Sequence, residues 1–553
     1  MRHALPGPRR SVRSTERRRH GRPSPEAGVQ ATGYPLALLS GLLLAASFPK
    51  FGHPAFAWVA LAPLLVAVVM ASRQSRRSWR VAVLGVVAGF VFFVGTLYWI
   101  GGVMAAFGGL NPILAYALMG GLALHLSLFV GLFAWLACLS VRRFGLLGVW
   151  MAPALWVASE WLRAWLGWGF PWVLLGSSQA AVVPIVQLAS VTGVYGLSAL
   201  LALTSTAAAS LALNRGRAQW LRAAGVAALV VMIAVLGTWR ASAAQLTREG
   251  TPIRVGLLQG NVPQEAKSNP ALSQAITQTY LTLSRQALME GAQLVLWPEA
   301  SAPFIFAEDE AAAEPIRRLA AQAHVPFVIG TDEIARGATR DADRWYNAAT
   351  LVGSDGRTQG LYRKVRLVPF GEYVPFKRLL FFVGPLIEAV SDFTPGDDLT
   401  VFETEGSRFS VAICYEAVYA GMAQTFVSRG SQLLTTITND AWFGRSSAAY
   451  QHFEQASLRA VEQGRYLVRA ANTGISGAVD PYGRVLRTSA LFDTTELTVD
   501  ARLLSGHTIY HAIGDVVAWA SLVLSAFVVW RARGVGRSQL AGDRPPFDEG
   551  TRS

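Results

Sequence analysis

Residues Ser410 to Tyr419 read SVAICYEAVY. An apolar, strand-type run stops on Cys414, one of only two cysteines in 553 residues, and a tyrosine and a glutamate follow at once. Strand ends are where α/β folds gather reactive groups, so this stretch predicts a strand that delivers a thiol to a sheet edge. Taken alone, Cys414 reads as readily as a small buried hydrophobe, the usual state of a free cysteine. The other cysteine, Cys138, falls inside an apolar stretch expected to form a helix far from this edge. Cys414 is therefore expected to be unpaired, and outside the cytoplasm an unpaired cysteine needs a reason.

Outward from Cys414, the character of the chain is uniform from about Thr251 to Thr508. Short β-type runs (IRVGLLQ, AQLVLWP, VPFVIGT, FSVAICY, QLLTTIT) alternate with polar or helix-like segments such as PALSQAITQTYLTLSRQALMEG. That alternation predicts one α/β domain over 251–508, large enough for its own core.

Beyond it the composition changes. Over the whole chain 52% of residues are apolar and 15% charged, and the mean hydropathy is +0.34. Soluble chains carry roughly a quarter charged residues, so several segments are built for lipid. A spanning helix needs about 20 mostly apolar residues. Seven candidates precede residue 240: Tyr34–Pro49, Pro54–Ser72, Val81–Ala106, Ile113–Leu139, Leu146–Trp165, Leu188–Leu213 and Ala223–Trp239, the third and fourth divided only by GGLNP. An eighth, Ala512–Trp530, follows the α/β domain.

The net charge of +14 raises nucleic-acid binding, but its placement argues against it. Residues 1–33 hold eight arginines against Glu16 and Glu26, and the basic loops SRQSRRSWR, SVRRFG and NRGRAQWLR follow the second, fourth and sixth apolar stretches. Lys and Arg accumulate in loops that stay in the cytoplasm. The alternation places the N-terminus inside and the α/β domain outside, and RARGVGR after the eighth helix returns the C-terminus inside. Residues 1–33 and 531–553 are expected as cytoplasmic tails, the first of them disordered. No signal-peptide cleavage site is expected, because the first apolar run continues into further membrane segments.

Three other stretches share the chemistry of ICYE. In LVLWPEAS an apolar run ends in Trp297 and Pro298, with Glu299 next; Glu299 reads as a helix-capping carboxylate or as an acid–base group. YRKVRLVPFGEYVPF carries Lys364, otherwise a solvated surface charge, and Glu372. TNDAWFG is followed by RAANTGISGAVDPYGRV. A thiol reacts as its thiolate; a neighbouring ammonium favours that form and a carboxylate can take the proton.

Taken in order, WPEAS, YRKVRLVPFGE and ICYE resemble the nitrilase superfamily, whose members place a Glu base, a Lys and a Cys nucleophile at the ends of separate strands of an αββα sandwich. QGNVPQ, KxxLVPFGEYVPF, ICYE, NDAWFG and RAANTGISG, with the seven-plus-one helix layout, resemble the apolipoprotein N-acyltransferase family over roughly residues 34 to 530. The resemblance implies a multi-pass α-helical membrane protein: a seven-helix domain over 34–240, an extracytoplasmic nitrilase-like αββα sandwich over 251–508 and a C-terminal helix over 512–530. It assigns Glu299 as general base, Lys364 as electrostatic partner and Cys414 as nucleophile, with Glu372, Tyr415 and Glu416 in support; Glu416 reads equally as a structural partner. It implies a bacterial inner-membrane enzyme that needs no cofactor or metal. Its acyl donor would be a glycerophospholipid and its acceptor the α-amine of a diacylglyceryl-cysteine at an apolipoprotein N-terminus, by way of a Cys414 thioester. Family members commonly carry Trp after the Lys of QGNxPQxxK, where this chain has Ser268, so the lid there is expected to differ in shape.

Two rival readings remain. One is a membrane-anchored amidohydrolase with water as acceptor; the other is a transporter or sensor with an inactive outer domain, disfavoured because all three triad positions are filled. The apolar segment PFKRLLFFVGPLIEAV is expected either to face lipid beside the Lys364 loop or to form a buried core helix. Trp161, Trp165, Trp168 and Trp172 fit an interfacial aromatic belt, with Glu160 and Arg163 at the same depth and placed to pair.

Overall fold

The structure is a computed structural model. It describes residues 25–541 apart from 75–76, 168, 268, 340–341, 370 and 374–391, with residues 25–31 and 533–541 described by their backbone alone. Trp168, Ser268, the segment PFKRLLFFVGPLIEAV and most of both terminal tails thus lie outside the described residues.

The N-terminal half is helical: Pro25–Ala45, Ala62–Gln74, Ser78–Leu97, Trp99–Ala106, Pro112–Phe144, Ala152–Trp165, Ala189–Leu213 and Arg217–Ala243. Among the described residues, five helical stretches are long and apolar enough to cross a membrane: Pro54–Gln74, Ser78–Leu97, Pro112–Trp165, Ala189–Leu213 and Arg217–Thr247. Shorter apolar helices cover Thr32–Ala45 and Val516–Ala532. The expected break at GGLNP is present. Asn111 Oδ1 accepts from the amide of Ile113 at 2.9 Å, and Pro112 opens the next helix, where its missing N–H costs nothing. That helix stops at Gly145, whose φ of +62° is open to glycine without strain.

The described residues of the C-terminal half form two six-stranded sheets. In chain order the strands are β1 (Thr251–Gln259), β2 (Leu294–Leu296), β3 (Phe327–Ala335), β4 (Arg344–Val352), β5 (Thr358–Arg363), β6 (Val401–Thr404), β7 (Ser407–Ile413), β8 (Leu433–Thr438), β9 (Leu467–Ala471), β10 (Gly477–Val479), β11 (Val485–Thr488) and β12 (Thr495–Leu503). The first sheet runs β12-β1-β2-β3-β4-β5 and the second β11-β10-β9-β8-β7-β6. In each, three central strands are parallel (β1, β2, β3 and β7, β8, β9) and the outer ones antiparallel.

The sequence explains which strands lie inside. β8, LLTTIT, is buried at every position, as a strand covered on both faces must be, whereas the edge strand β12, TELTVDARL, alternates. The two sheets pack against each other, and helices cover their outer faces. Ser273–Met289 turns Ile276, Tyr280, Leu283 and Ala287 inward at helical spacing. Ala448–Gln463 lies between the second sheet and the apolar helix Ala189–Leu213, so its opposite faces both meet protein.

Candidate active site

Glu299 lies three residues beyond β2. The strand end is pinned by the Trp297 amide to the Val328 carbonyl at 2.9 Å and by the Trp297 indole to Ser284 at 3.0 Å. Gly330 in β3 makes this bend possible. A Cβ there would stand 2.0 Å from the Pro298 carbonyl oxygen and 2.7 Å from the Glu299 Cα, so only glycine lets the backbones approach.

Lys364 follows β5 directly, and Cys414 follows β7. The Lys364 ammonium is buried between two carboxylates, 3.0 Å from Glu299 Oε1 and 2.8 Å from Glu372 Oε1. The amide of Asn347, on β4, donates to the same two oxygens at 2.7 Å each. Glu299 Oε2 accepts from the Asn439 amide at 2.8 Å, which ties the first sheet to the end of β8 in the second. Burial opposes charge on Glu299 and on Lys364. For Glu299, the charge of Lys364 and the hydrogen bonds outweigh burial and hold the carboxyl below its usual range. For Lys364, the charges of Glu299, Glu372 and Cys414 outweigh burial and keep the ammonium protonated.

Cys414 differs. Burial pushes its thiol well up, Glu299 adds to that, and the opposing effect of Lys364 is smaller. Lys364 acts on the thiol in the direction expected from the sequence, and burial together with Glu299 outweighs it. The resting site is a thiol, a carboxylate and an ammonium. Cys414 also has a φ of +51°, a left-handed conformation that costs a non-glycine residue about 1–3 kcal/mol and that gathers at functional sites.

Glu416 is buried and serves the architecture. It accepts from the Ile413 amide at 2.8 Å on the Cys414 side, and from Val365 N at 2.7 Å, Arg366 N at 3.0 Å and the Tyr362 hydroxyl at 2.9 Å on the Lys364 side. One carboxylate therefore joins the loop after β5 to the turn after β7. Burial raises it to about 7. Glu372 accepts from the Val368 amide at 2.8 Å, which folds the loop back onto Lys364.

Tyr415 faces the helical half. Its ring stacks on Trp172 at 6.1 Å, and the Trp172 indole donates to Gln451 at 2.9 Å. Trp172 is 2% exposed, so it belongs to the protein interior beside the site and not to a lipid-facing belt. Trp165, 43% exposed, fits that expectation. Glu160 and Arg163, both buried, spend their hydrogen bonds on the loop that carries Trp172. Glu160 accepts from Leu175 N at 2.6 Å, and Arg163 donates to Phe170 O and Trp172 O at 2.9 and 2.7 Å.

Some site groups escaped the sequence reading. Asn347 is an amide in a strand whose last seven residues are all buried, RWYNAATLV, and that placement was the available signal. Lys267 donates to the Glu299 carbonyl at 3.2 Å, and burial brings its ammonium down to about 8. Asp440 and His452 sit with the Cys414 thiol so that one donor atom of each lies within 4.8 Å of the others. The trio is a poor metal site. Both imidazole nitrogens already have partners, and the Arg469 guanidinium is 2.6 Å from Asp440. Cys138 and Cys414 are both free, as expected, and both are buried.

A carbon-nitrogen hydrolase family profile matches residues 254–505, and the profile of the apolipoprotein N-acyltransferase N-terminal domain matches residues 40–207. The class is thus a nitrilase-superfamily catalytic domain joined to a set of apolar helices. An apolipoprotein N-acyltransferase of Geobacter metallireducens is 37% identical over 500 residues, covering 90% of this chain and 94% of the relative. One of Methylococcus capsulatus is 34% identical over 502 residues, covering 89% and 94%. Among solved structures, a mutant of a nitrilase-superfamily amidase from Nesterenkonia AN1 is 21% identical with a TM-score of 0.35, over 46% of this chain and 92% of its own. This chain belongs to the apolipoprotein N-acyltransferase family, and it is an acyltransferase.

Proposed function

We propose that the chain moves an acyl group from a glycerophospholipid to the α-amino group of a diacylglyceryl-cysteine at an apolipoprotein N-terminus, through a thioester on Cys414. The observation that carries this reading is that both halves of the molecule build one site. Cys414 stands in a left-handed turn near the Glu299–Lys364 pair, and the next residue, Tyr415, stacks on Trp172 from the helical half. An amidase acting on soluble substrates has no use for that junction. Membrane association and lipid and lipoprotein substrates also follow from the family's name.

Each step assigns a task to a placed group. Glu299 Oε1 already holds Lys364 and Asn347, so Oε2, with one partner, is the oxygen open to the Cys414 proton. As Sγ bonds the acyl carbon, that proton passes to Glu299. Lys364 uses two of its three N–H groups on Glu299 and Glu372, and the third is available to the oxyanion. Collapse breaks the ester bond, and Glu299 returns the proton to the leaving lysophospholipid oxygen. The neutral α-amine then attacks the thioester, Glu299 takes one of its protons, and the regenerated thiolate recovers a proton as the amide leaves. Because burial disfavours the free thiolate, the thiol is activated only with substrate in place. Glu372 and Asn347 hold Lys364, and Glu416 holds both loops. An amidohydrolase with water as acceptor does not match the relatives' names.

The topology proposed is seven crossings, the sheet domain over 251–508 on the periplasmic side of the bacterial inner membrane, and an eighth crossing. A reporter active only in the cytoplasm, fused after Gly356, is expected to stay silent; strong signal there would reverse the orientation. The test of function is mass spectrometry of lipoprotein N-termini from cells with and without the gene. Loss of the amide-linked acyl chain is expected without it, and unchanged N-termini would rule the reading out.

A further inference from the structure

A residue at φ +51° relaxes toward negative φ unless its surroundings hold it. The carbonyl of Cys414 is held from one direction: it lies 3.0 Å from Nε2 of His452. His452 sits on the helix Ala448–Gln463 and is wholly buried. A carbonyl only accepts, so Nε2 carries a hydrogen in this contact.

The other ring nitrogen is equally constrained. Nδ1 lies 3.0 Å from Nη2 of Arg469 and 3.1 Å from Oδ1 of Asp440. Arg469 can only donate, so neutral His452 has its lone pair at Nδ1 and its hydrogen at Nε2; an imidazolium would carry the Nε2 hydrogen as well. Either way Nε2 donates to Cys414. Arg469 is fixed in turn, with Nη2 2.6 Å from Asp440 Oδ2 and Nε 3.1 Å from the Ile475 carbonyl, and Thr438 donates to Asp440 Oδ1 at 2.8 Å. Trp172 at 5.5 Å and Phe443 at 6.4 Å flank the ring.

We propose that His452 is a positioning residue for acyl transfer: its Nε2–H clamps the Cys414 carbonyl in the left-handed turn and so sets the direction in which Sγ meets the acyl carbon. Asp440 and Arg469 hold the imidazole so that this donor always points at Cys414. The inference rests on the reading of Cys414 as nucleophile. It assigns a role in that reaction to a helix that supplies no reacting group.

The test compares two variants of similar length in the full-length enzyme, with phosphatidylethanolamine as acyl donor and a synthetic diacylated lipopeptide as acceptor. His452→Met removes the donor, whereas His452→Gln puts an amide N–H near the place of Nε2. A misplacement of the nucleophile by an ångström costs on the order of 100-fold. Acylation of Cys414, followed in a single turnover without lipopeptide, is therefore expected to slow by about 10- to 100-fold in His452→Met, with the phospholipid concentration for half-maximal acylation within about twofold of native. His452→Gln is expected to recover at least about fivefold of that loss. Equal slowing in both variants, or none in His452→Met, overturns the proposal. Should His452→Met lose its cooperative unfolding transition, His452→Gln decides alone: slowing beyond about tenfold overturns the proposal and less supports it. Cys414→Ala, run alongside, keeps the two readings apart. Transfer by that variant would sink the thioester itself, whereas the His452 variants bear only on how the thiol is aimed.

Discussion

Two helices of this chain invert the rule that apolar side chains are buried and polar ones exposed. Ala448–Gln463, AAYQHFEQASLRAVEQ, is rich in polar groups, yet every residue except Tyr450 and Glu454 is buried. Arg217–Ala243 is apolar through its middle, yet buries only Gln219, Val226, Gly237 and Ala241, and Trp239 is 71% exposed. The first helix has protein on both faces. Its polar groups therefore need fixed partners: Gln451 and Gln455 hold Trp172 and Val173, Arg459 pairs with Glu462 at 2.8 Å, and His452 meets Cys414. The second fits a lipid surrounding, where backbone groups must bond within the helix and side chains need no partners. Hydropathy thus reports what surrounds a helix, not how deeply it lies.

The sharpest way to break this contrast is Arg459→Met. Arg459 pairs with Glu462, which also accepts from the Val194 amide of the apolar helix Ala189–Leu213, at 3.0 Å. Loss of the guanidinium strands a buried carboxylate and is expected to cost about 3–5 kcal/mol, read as a large fall in thermal unfolding temperature in detergent. A loss under about 1 kcal/mol would mean that the helix tolerates unpaired charge and is wetter than its burial implies. At the other end stands Leu236→Ala. Leu236 is 55% exposed, and its shortening is expected to change stability by no more than about 0.5 kcal/mol. A drop of about 2 kcal/mol or more would show that this helix packs on protein and not on lipid.

Much of this was legible in the sequence. Glu299 and Cys414 each end an apolar run, and a run of strand composition that stops on a reactive residue carries its own address; Lys364, after the polar strand TQGLYR, was legible only through the motif around it. The break at Gly108–Pro112 was legible for the same reason, because asparagine and proline there cap a helix through local chemistry alone. What stayed hidden depends on partners distant in the chain. Asn347 meets Glu299 across 48 residues and His452 meets Cys414 across 38, and no local pattern says which buried polar group faces which. Trp172 was misread because an aromatic near a helix end looks the same whether lipid or Tyr415 covers it. How strongly burial acts on the thiol was not legible either, because burial is a property of the fold.

The central claim is that Cys414 is unpaired because it carries the acyl group between donor and acceptor. Purified enzyme given phospholipid and no acceptor should gain the mass of one acyl chain on the peptide containing Cys414, removable by neutral hydroxylamine and discharged by added lipopeptide. Glu299→Gln should form that adduct slowly if at all. Full transfer activity in Cys414→Ala, or an adduct that lipopeptide does not discharge, would contradict the account.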